Sequence, residues 1–276
     1  MHGVETAAAS TGREVEGVSR DRRTLRRRAE LLLALTESDL RARYGRGGVR
    51  LFKWLLDPFA LVGVYLLLVS VVLDRPGAAP GLSLACAVVP FQLLMMSVMN
   101  AMGAVDLRRS IILNMSFERS FIPASAVLTE TVAFAASFLL LVLMMTVYRV
   151  SPTLAMLWFP LVVAVNILLA VALAYVSSLV GIWFSDLRLF AISFVRTLFF
   201  LAPGLVPLSL VGGRAADLLR LNPLSGVFEG YRSVLLYGTR PAAWELLVPT
   251  AFSLVLLAIT LPIYVREQKQ FAKVVA

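Results

Sequence analysis

The chain has 276 residues, of which 59% are hydrophobic and 16% charged, and its mean hydropathy is +0.83. Soluble domains are about 45–50% apolar and about 25% charged, and one soluble core would leave most of this apolar excess exposed to water. Composition therefore excludes an ordinary soluble protein and predicts an all-α integral membrane protein.

Positive charge is concentrated near the start of the chain. The net charge is +9, and 12 of the 26 lysines and arginines lie in the first 53 residues. Basic residues beside a membrane span usually set topology or contact anionic headgroups, so we expect membrane lipids and not nucleic acid as partners. With one histidine (His2) and one cysteine (Cys86), a disulfide framework, a histidine-based zinc site and a Ser-His-Asp triad within one chain are excluded.

The segment before the first apolar stretch divides into two parts. Residues 1–19 are small and polar and predict a disordered cytoplasmic tail. Residues 20–53 are basic and predict an amphipathic helix in the cytoplasmic interface. The apolar stripe of that helix consists of Ala29, Leu32, Leu33, Thr36, Leu40 and Tyr44. A simple membrane anchor explains the same pattern.

Residues 54–265 contain six apolar segments, each long enough to cross a bilayer as a helix. They are Trp54–Leu73, Gly81–Val105, Ala124–Tyr148, Val150–Ser185 (whose first part should be loop), Leu189–Gly213 and Leu246–Val265. With the N-terminus cytoplasmic, the inner segments hold 19 basic residues and the outer segments 6. The positive-inside rule then places both termini in the cytoplasm, with residues 266–276 as a second tail.

The longest internal cytoplasmic loop, Asp106–Pro123, has an apolar centre between charged flanks. A loop that only faces solvent would not need the three apolar residues Ile111–Leu113. The loop is therefore either a docking surface for another protein or a turn that dips into the membrane.

The outer insert, residues 214–245, contains an ordered helical pattern at Asn222–Gly238. Asn222 is a suitable N-cap, Pro223 a suitable first residue, and Gly238 can close the helix. An apolar stripe repeats at helical spacing through Leu224, Val227, Phe228, Tyr231, Val234 and Leu235. A helix of this length reaches only about 22 Å, so it should lie on the outer leaflet or enter the membrane and return. An extracellular lid is the alternative.

Two further features of this helix predict contacts. Glu229 and Arg232 are three residues apart on the face opposite the stripe and can form an ion pair. Gly226 and Gly230 are four residues apart and allow another helix to approach closely.

Five short motifs in order along the chain resemble the membrane subunit of type 2 ABC exporters, in the branch that moves lipid-linked polysaccharides such as O-antigen and teichoic acid. The motifs are Asp39-Leu40-Arg41-x-Arg43-Tyr44 with Trp54 and Pro58, the loop Asn114–Pro123, Phe184-x-Asp186-Leu187-Arg188, Asn222-Pro223-Leu224 through Tyr231-Arg232, and Phe271-Ala272-Lys273-Val274.

The resemblance implies a homodimer that works with two copies of a separate cytoplasmic ABC ATPase, which binds Mg-ATP while this chain binds no cofactor. It also implies roles for three groups of residues. ATPase coupling falls on Asp106, Arg108, Arg109, Asn114, Glu118 and Arg119; the substrate entrance falls on Arg41, Arg43, Tyr44 and Trp54; the extracellular gate falls on Asn222, Pro223, Phe228, Glu229, Tyr231 and Arg232.

We expect the chain to be a transport subunit of the bacterial inner membrane, with no catalytic residue and no metal. No Walker motif occurs in the chain, so the energy must come from a partner or a gradient. Arg196 is the only ionisable residue predicted near mid-membrane, where it either faces an aqueous path or reaches back to the interface. Candidates for lining a conduit are Phe91, Arg196, Phe199 and Phe200. A drug or lipid exporter of the same superfamily is the alternative, and a lipid-phosphate transferase ranks last because clustered Asp or His residues are missing.

Overall fold

The computed structural model describes residues 29–41, 56, 59–64, 67, 79–108 and 119–267, and every regular element in these ranges is a helix. The predicted all-α class is therefore confirmed for the described residues. The helices are α1 (29–41), α2 (59–64), α3 (Pro80–Leu107), α4 (Phe121–Val147), α5 (Phe159–Trp183), α6 (Arg188–Leu201), α7 (Gly213–Arg220), α8 (Pro223–Leu235) and α9 (Ala243–Glu267).

Four of these helices are long and apolar enough to cross a membrane: α3, α4, α9, and α5 together with the 3-10 turn that precedes it (Leu154–Trp183). The predicted first span, Trp54–Leu73, lies largely outside the described residues. The predicted count of six spans therefore stays a prediction.

The predicted fifth span, Leu189–Gly213, is not one continuous helix. Helix α6 ends at Leu201 after 14 residues, about 21 Å of rise against the ~30 Å of a bilayer core. The chain then runs irregularly through Ala202–Pro207, forms a 3-10 turn at Leu208–Leu210, and continues into α7. Pro203 and Gly204 follow the helix end, and neither residue favours continuation of an α-helix.

The contacts between helices define the two ends of the bundle. Tyr148, just after α4, accepts a hydrogen bond from Gly81 N at the start of α3, so α3 and α4 are antiparallel. Asn166 near the start of α5 contacts Pro90 O, and Ser178 near its end bonds to Tyr264 of α9, so α3, α5 and α9 run in parallel. We call the end where these three helices begin the upper end, and the opposite end the lower end.

Helix α3 lies at the centre of the bundle. It packs against α4, α5, α6 and α8, and 21 of its 28 residues are buried. It approaches α5 closely where Gly181 faces the backbone of Met102. Helix α9, in contrast, leaves most of its apolar side chains exposed, as a helix in contact with lipid would.

Candidate functional site

A cavity of about 350 Å³ lies between α2, α3 and α6. The four residues predicted to line a conduit all surround it, although they are distributed over two helices. Its lining consists of Leu61, Val88, Phe91, Gln92, Met95, Arg196, Phe199 and Phe200. The cavity is thus mainly apolar and aromatic, with one positive charge.

Aromatic rings in tilted and edge-on contact form one wall of this cavity. Phe199 of α6 packs against Phe91 of α3 at a centroid distance of 4.9 Å and against Phe200 at 5.5 Å. Phe228 of α8 contacts the same rings but does not line the cavity; its ring centroid lies 5.9 Å from that of Phe199 and 6.3 Å from that of Phe91. Because Phe228 is fully buried, this cluster connects the cavity wall directly to α8.

Arg196 is exposed and lies at the cavity. Within the described ranges, no carboxylate forms an ion pair with its guanidinium. A guanidinium with free donors matches the geometry of a phosphate or carboxylate, so Arg196 is able to bind an anionic group that enters the cavity.

Helix α8 is buried on all sides, and all of its residues from Leu224 to Leu235 belong to the interior. The predicted N-cap is confirmed, since Leu224 N donates to Asn222 Oδ1 at 3.0 Å and Pro223 is the first helical residue. Gly238 has φ +63°, the left-handed conformation that glycine adopts without strain. The sequence therefore predicted the start of this helix correctly, whereas the helix ends at Leu235, three residues before Gly238.

The close approach predicted at the two glycines of α8 is also confirmed. A Cβ atom on Gly226 would lie 2.9 Å from Pro249 Cδ in α9, and one on Gly230 would lie 3.3 Å from Val162 Cγ1 in α5. Helix α8 therefore fits between α5 and α9 at the upper end of the bundle, because small residues let the backbones meet.

Glu229 and Arg232 form the predicted ion pair, but the pair is buried rather than on a polar surface. Arg232 Nη1 lies 2.8 Å from Glu229 Oε1, and the Arg232 side chain is 0% exposed. The guanidinium also donates to Ser83 O and Ser83 Oγ at 3.2 Å, to Pro203 O at 2.7 Å and to Gly204 O at 2.8 Å. One side chain thus joins α8, the start of α3 and the irregular segment after α6.

Tyr231 is another polar residue buried in α8. Its hydroxyl lies 3.5 Å from Asn166 Nδ2, which donates to it from α5, and its ring packs edge-on against Phe159 at 5.6 Å. The hydroxyl of Tyr231 thereby finds a partner inside the bundle, and α5 gains a polar contact with α8.

At the lower end, Arg108 points into the bundle, although it was assigned to the surface that meets a partner. It forms an ion pair with Asp39 of α1 and donates to Ser125 Oγ of α4 at 3.0 Å. Burial lowers the pKa of the Arg108 guanidinium, and the Asp39 carboxylate opposes that shift. Arg108 therefore ties α1 to α3 and α4, beside a second cavity of about 270 Å³.

The other predicted coupling and entrance residues are distributed differently. Asp106 is exposed at the lower end of α3, and Arg119 is half-buried just before α4. Arg41 is exposed and pairs with Glu37 on the same helix. The remaining ones lie outside the described residues: Arg43, Tyr44, Trp54, Arg109, Asn114 and Glu118.

Several residues that complete these contacts were not selected from the sequence. Ser83 and the backbone of Pro203 and Gly204 bind Arg232, and they are 149, 29 and 28 residues away from it in the chain. Periodicity carries no information about such distant pairs. Asp39 was selected only as part of a motif, and the motif does not indicate that its partner is Arg108.

The long apolar helices and the aromatic cavity between them define a multi-pass α-helical membrane protein. No family model matches the chain. It is 28% identical over 246 residues to the O-antigen export system permease protein RfbA of Myxococcus xanthus. The aligned residues cover 88% of this chain and 94% of that relative. Two proteins of the same name from Klebsiella pneumoniae are each 23% identical, over 76% and 89% of this chain and 82% and 95% of their own lengths. The resemblance to ABC polysaccharide-export permeases is therefore confirmed over most of the chain.

Proposed function

We propose that this chain is the membrane-spanning subunit of an ATP-driven exporter that moves lipid-linked polysaccharide from the cytoplasmic to the outer side of a bacterial inner membrane. Two copies of the chain form the conduit, and two copies of a separate ATPase bind Mg-ATP and supply the energy. Both termini lie in the cytoplasm, so the upper end of the bundle is the outer end and α8 is the gate at the exit.

The cavity lined by Phe91, Phe199, Phe200 and Arg196 is the observation that carries this proposal. Sugar rings present CH groups that pack on aromatic faces, and an arginine binds the phosphate groups that link a glycan to its lipid. A cavity with several rings and one arginine provides both kinds of contact.

The names of the three relatives support the same substrate class. Each is an export permease for O-antigen, and each covers at least 76% of this chain.

Reconstitution of the purified subunit with its ATPase in proteoliposomes is the direct test. We expect ATP hydrolysis to require both subunits, to rise when lipid-linked glycan is added, and to be accompanied by transfer of the glycan across the membrane. Stimulation by small drugs or simple lipids but not by the glycan would favour the alternative exporter. ATP-independent phosphotransfer by the isolated subunit would refute the proposal.

Replacement of Arg196 by leucine tests the role of the cavity. Loss of a charge-assisted contact to phosphate should raise the glycan concentration needed for half-maximal stimulation about tenfold or more. Arg214→Leu is the matched control, since Arg214 is also exposed but lies in α7, away from the cavity. Unchanged transport by Arg196→Leu would remove the cavity from the substrate path.

A further inference from the structure

The first part of the irregular segment between α6 and α7 lies inside the bundle, whereas Ser209 and Leu210 near its end are exposed. Ala202, Pro203, Gly204 and Leu208 are all buried. Non-helical backbone at membrane depth is tolerated only where the protein itself satisfies the free carbonyl and amide groups. The partners of this segment therefore decide whether it can hold its position.

Two residues of α8, one helical turn apart, provide those partners. Arg232 donates to Pro203 O at 2.7 Å and to Gly204 O at 2.8 Å, while Glu229 Oε1 accepts from Leu208 N at 2.8 Å. The same carboxylate oxygen accepts from Arg232 at 2.8 Å. The ion pair is thus neutral as a unit and holds both ends of the segment through charged hydrogen bonds, which are stronger than neutral ones.

The segment in turn positions the aromatic wall of the cavity. Gly204 lies against Phe199, and a Cβ atom on Gly204 would be 2.8 Å from two atoms of that ring. Phe199 packs between Phe91 of α3 and Phe228 of α8. A shift of Gly204 therefore changes the space available to the ring that separates the cavity from α8.

We propose that Arg232 and Glu229 are positioning residues that hold the upper side of the cavity closed. They do so by fixing Pro203, Gly204 and Leu208, and through Gly204 the Phe199 ring. This inference rests on the proposed function, because it takes α8 as the exit gate. Opening then requires the guanidinium to release Ser83 on α3 and the two carbonyls together, since all three contacts are made by one side chain.

The test measures leakage through the closed complex and not transport. The subunit is purified with its ATPase and reconstituted into vesicles loaded with K⁺, and K⁺ efflux is followed without ATP and without glycan. Arg232→Lys keeps the positive charge, but the lysine ammonium lacks the planar guanidinium that bonds to Ser83, Pro203 and Gly204 together. We expect efflux at least about tenfold above that of the unmodified complex, the shift expected from loss of one charge-assisted hydrogen bond.

Arg220→Met is the matched control. Arg220 also pairs with a carboxylate three residues away, Asp217 at 3.3 Å, but both side chains are more than half exposed. This variant should be as tight to K⁺ as the unmodified complex. Co-purification with the ATPase and the melting temperature establish that each variant is assembled.

A second variant, Glu229→Gln, keeps the size of the side chain and its bond to Leu208 N but removes the charge opposite Arg232. If Arg232→Lys does not assemble, Glu229→Gln provides the test. We expect the Glu229→Gln complex to show increased K⁺ efflux as well. Assembled variants that are as tight as the unmodified complex would overturn the proposal. Failure of both variants to assemble would overturn it too, because the pair would then be required for folding and not for closure. Absence of glycan transport in the unmodified complex would refute the proposed function without affecting the leak result.

Discussion

The contact between α3 and α5 at Gly181 allows a quantitative prediction about stability. A Cβ atom added to Gly181 would lie 2.1 Å from Met102 O, 2.8 Å from Met102 C and 2.9 Å from Met102 Cγ. The ordinary separation of such a carbon from a carbonyl oxygen is about 3.3–3.6 Å. The substitution Gly181→Ala therefore forces the two helices apart by about 1 Å.

The size of the effect follows from the cost of overpacking. An extra carbon in a well-packed interior costs about 1–3 kcal/mol, and here the obstacle is backbone, which cannot rotate away. For a chain of this size, 1 kcal/mol corresponds to about 2–4 °C in melting temperature. We expect Gly181→Ala to lower the melting temperature by about 3–10 °C.

The chain contains a natural reporter for this measurement. Cys86 is the only cysteine and is 0% exposed within α3, so a thiol-reactive dye labels it only when the bundle opens. Gly212→Ala is the control, because nothing lies within 4 Å of a Cβ at Gly212 and its φ of −97° suits alanine. A melting temperature for Gly181→Ala within about 1 °C of the unmodified protein would refute the packing argument.

Two other predictions concern side chains that hold helix ends. Asn222→Ala should cost about 1 kcal/mol by removing the N-cap of α8, whereas Asn222→Ser keeps a cap and should melt near the unmodified protein; equal melting of the two variants would contradict this. Asp39→Asn should raise amide hydrogen exchange of residues 29–41 about tenfold, because it removes the charge that pairs with buried Arg108. Glu37→Gln is its control, since Glu37 pairs with Arg41 at the surface and such pairs contribute little; equal exchange in both variants would show that Asp39 does not hold α1.

Local features of the sequence were sufficient to predict the start of α8. Asn222, Pro223 and the spacing of the apolar residues act within one or two turns, so the helix start and the Glu229–Arg232 pair could be predicted without the fold. The residues around the 350 Å³ cavity could be selected only by type. That Phe91 and Phe199 meet depends on how α3 packs against α6, and no spacing in the chain encodes that contact.

The predicted fifth span shows where composition misleads. Residues 189–213 contain a single charge, so a hydropathy count treats them as one helix. The break after Leu201 is tolerated because Arg232 and Glu229, more than 20 residues later in the chain, satisfy the freed backbone groups. Pro203-Gly204 was the local sign of the break.

By itself, the sequence determined the membrane class and the start of α8, since both depend on the hydrophobicity and backbone preferences of neighbouring residues. Only the tertiary structure decided which polar groups are buried and what they hold. Arg232 and Arg108 follow the pattern of surface residues, yet both lie inside. A buried charge is stable only when it is paired. Each guanidinium has a carboxylate partner and further hydroxyl or carbonyl partners, most of which come from distant parts of the chain.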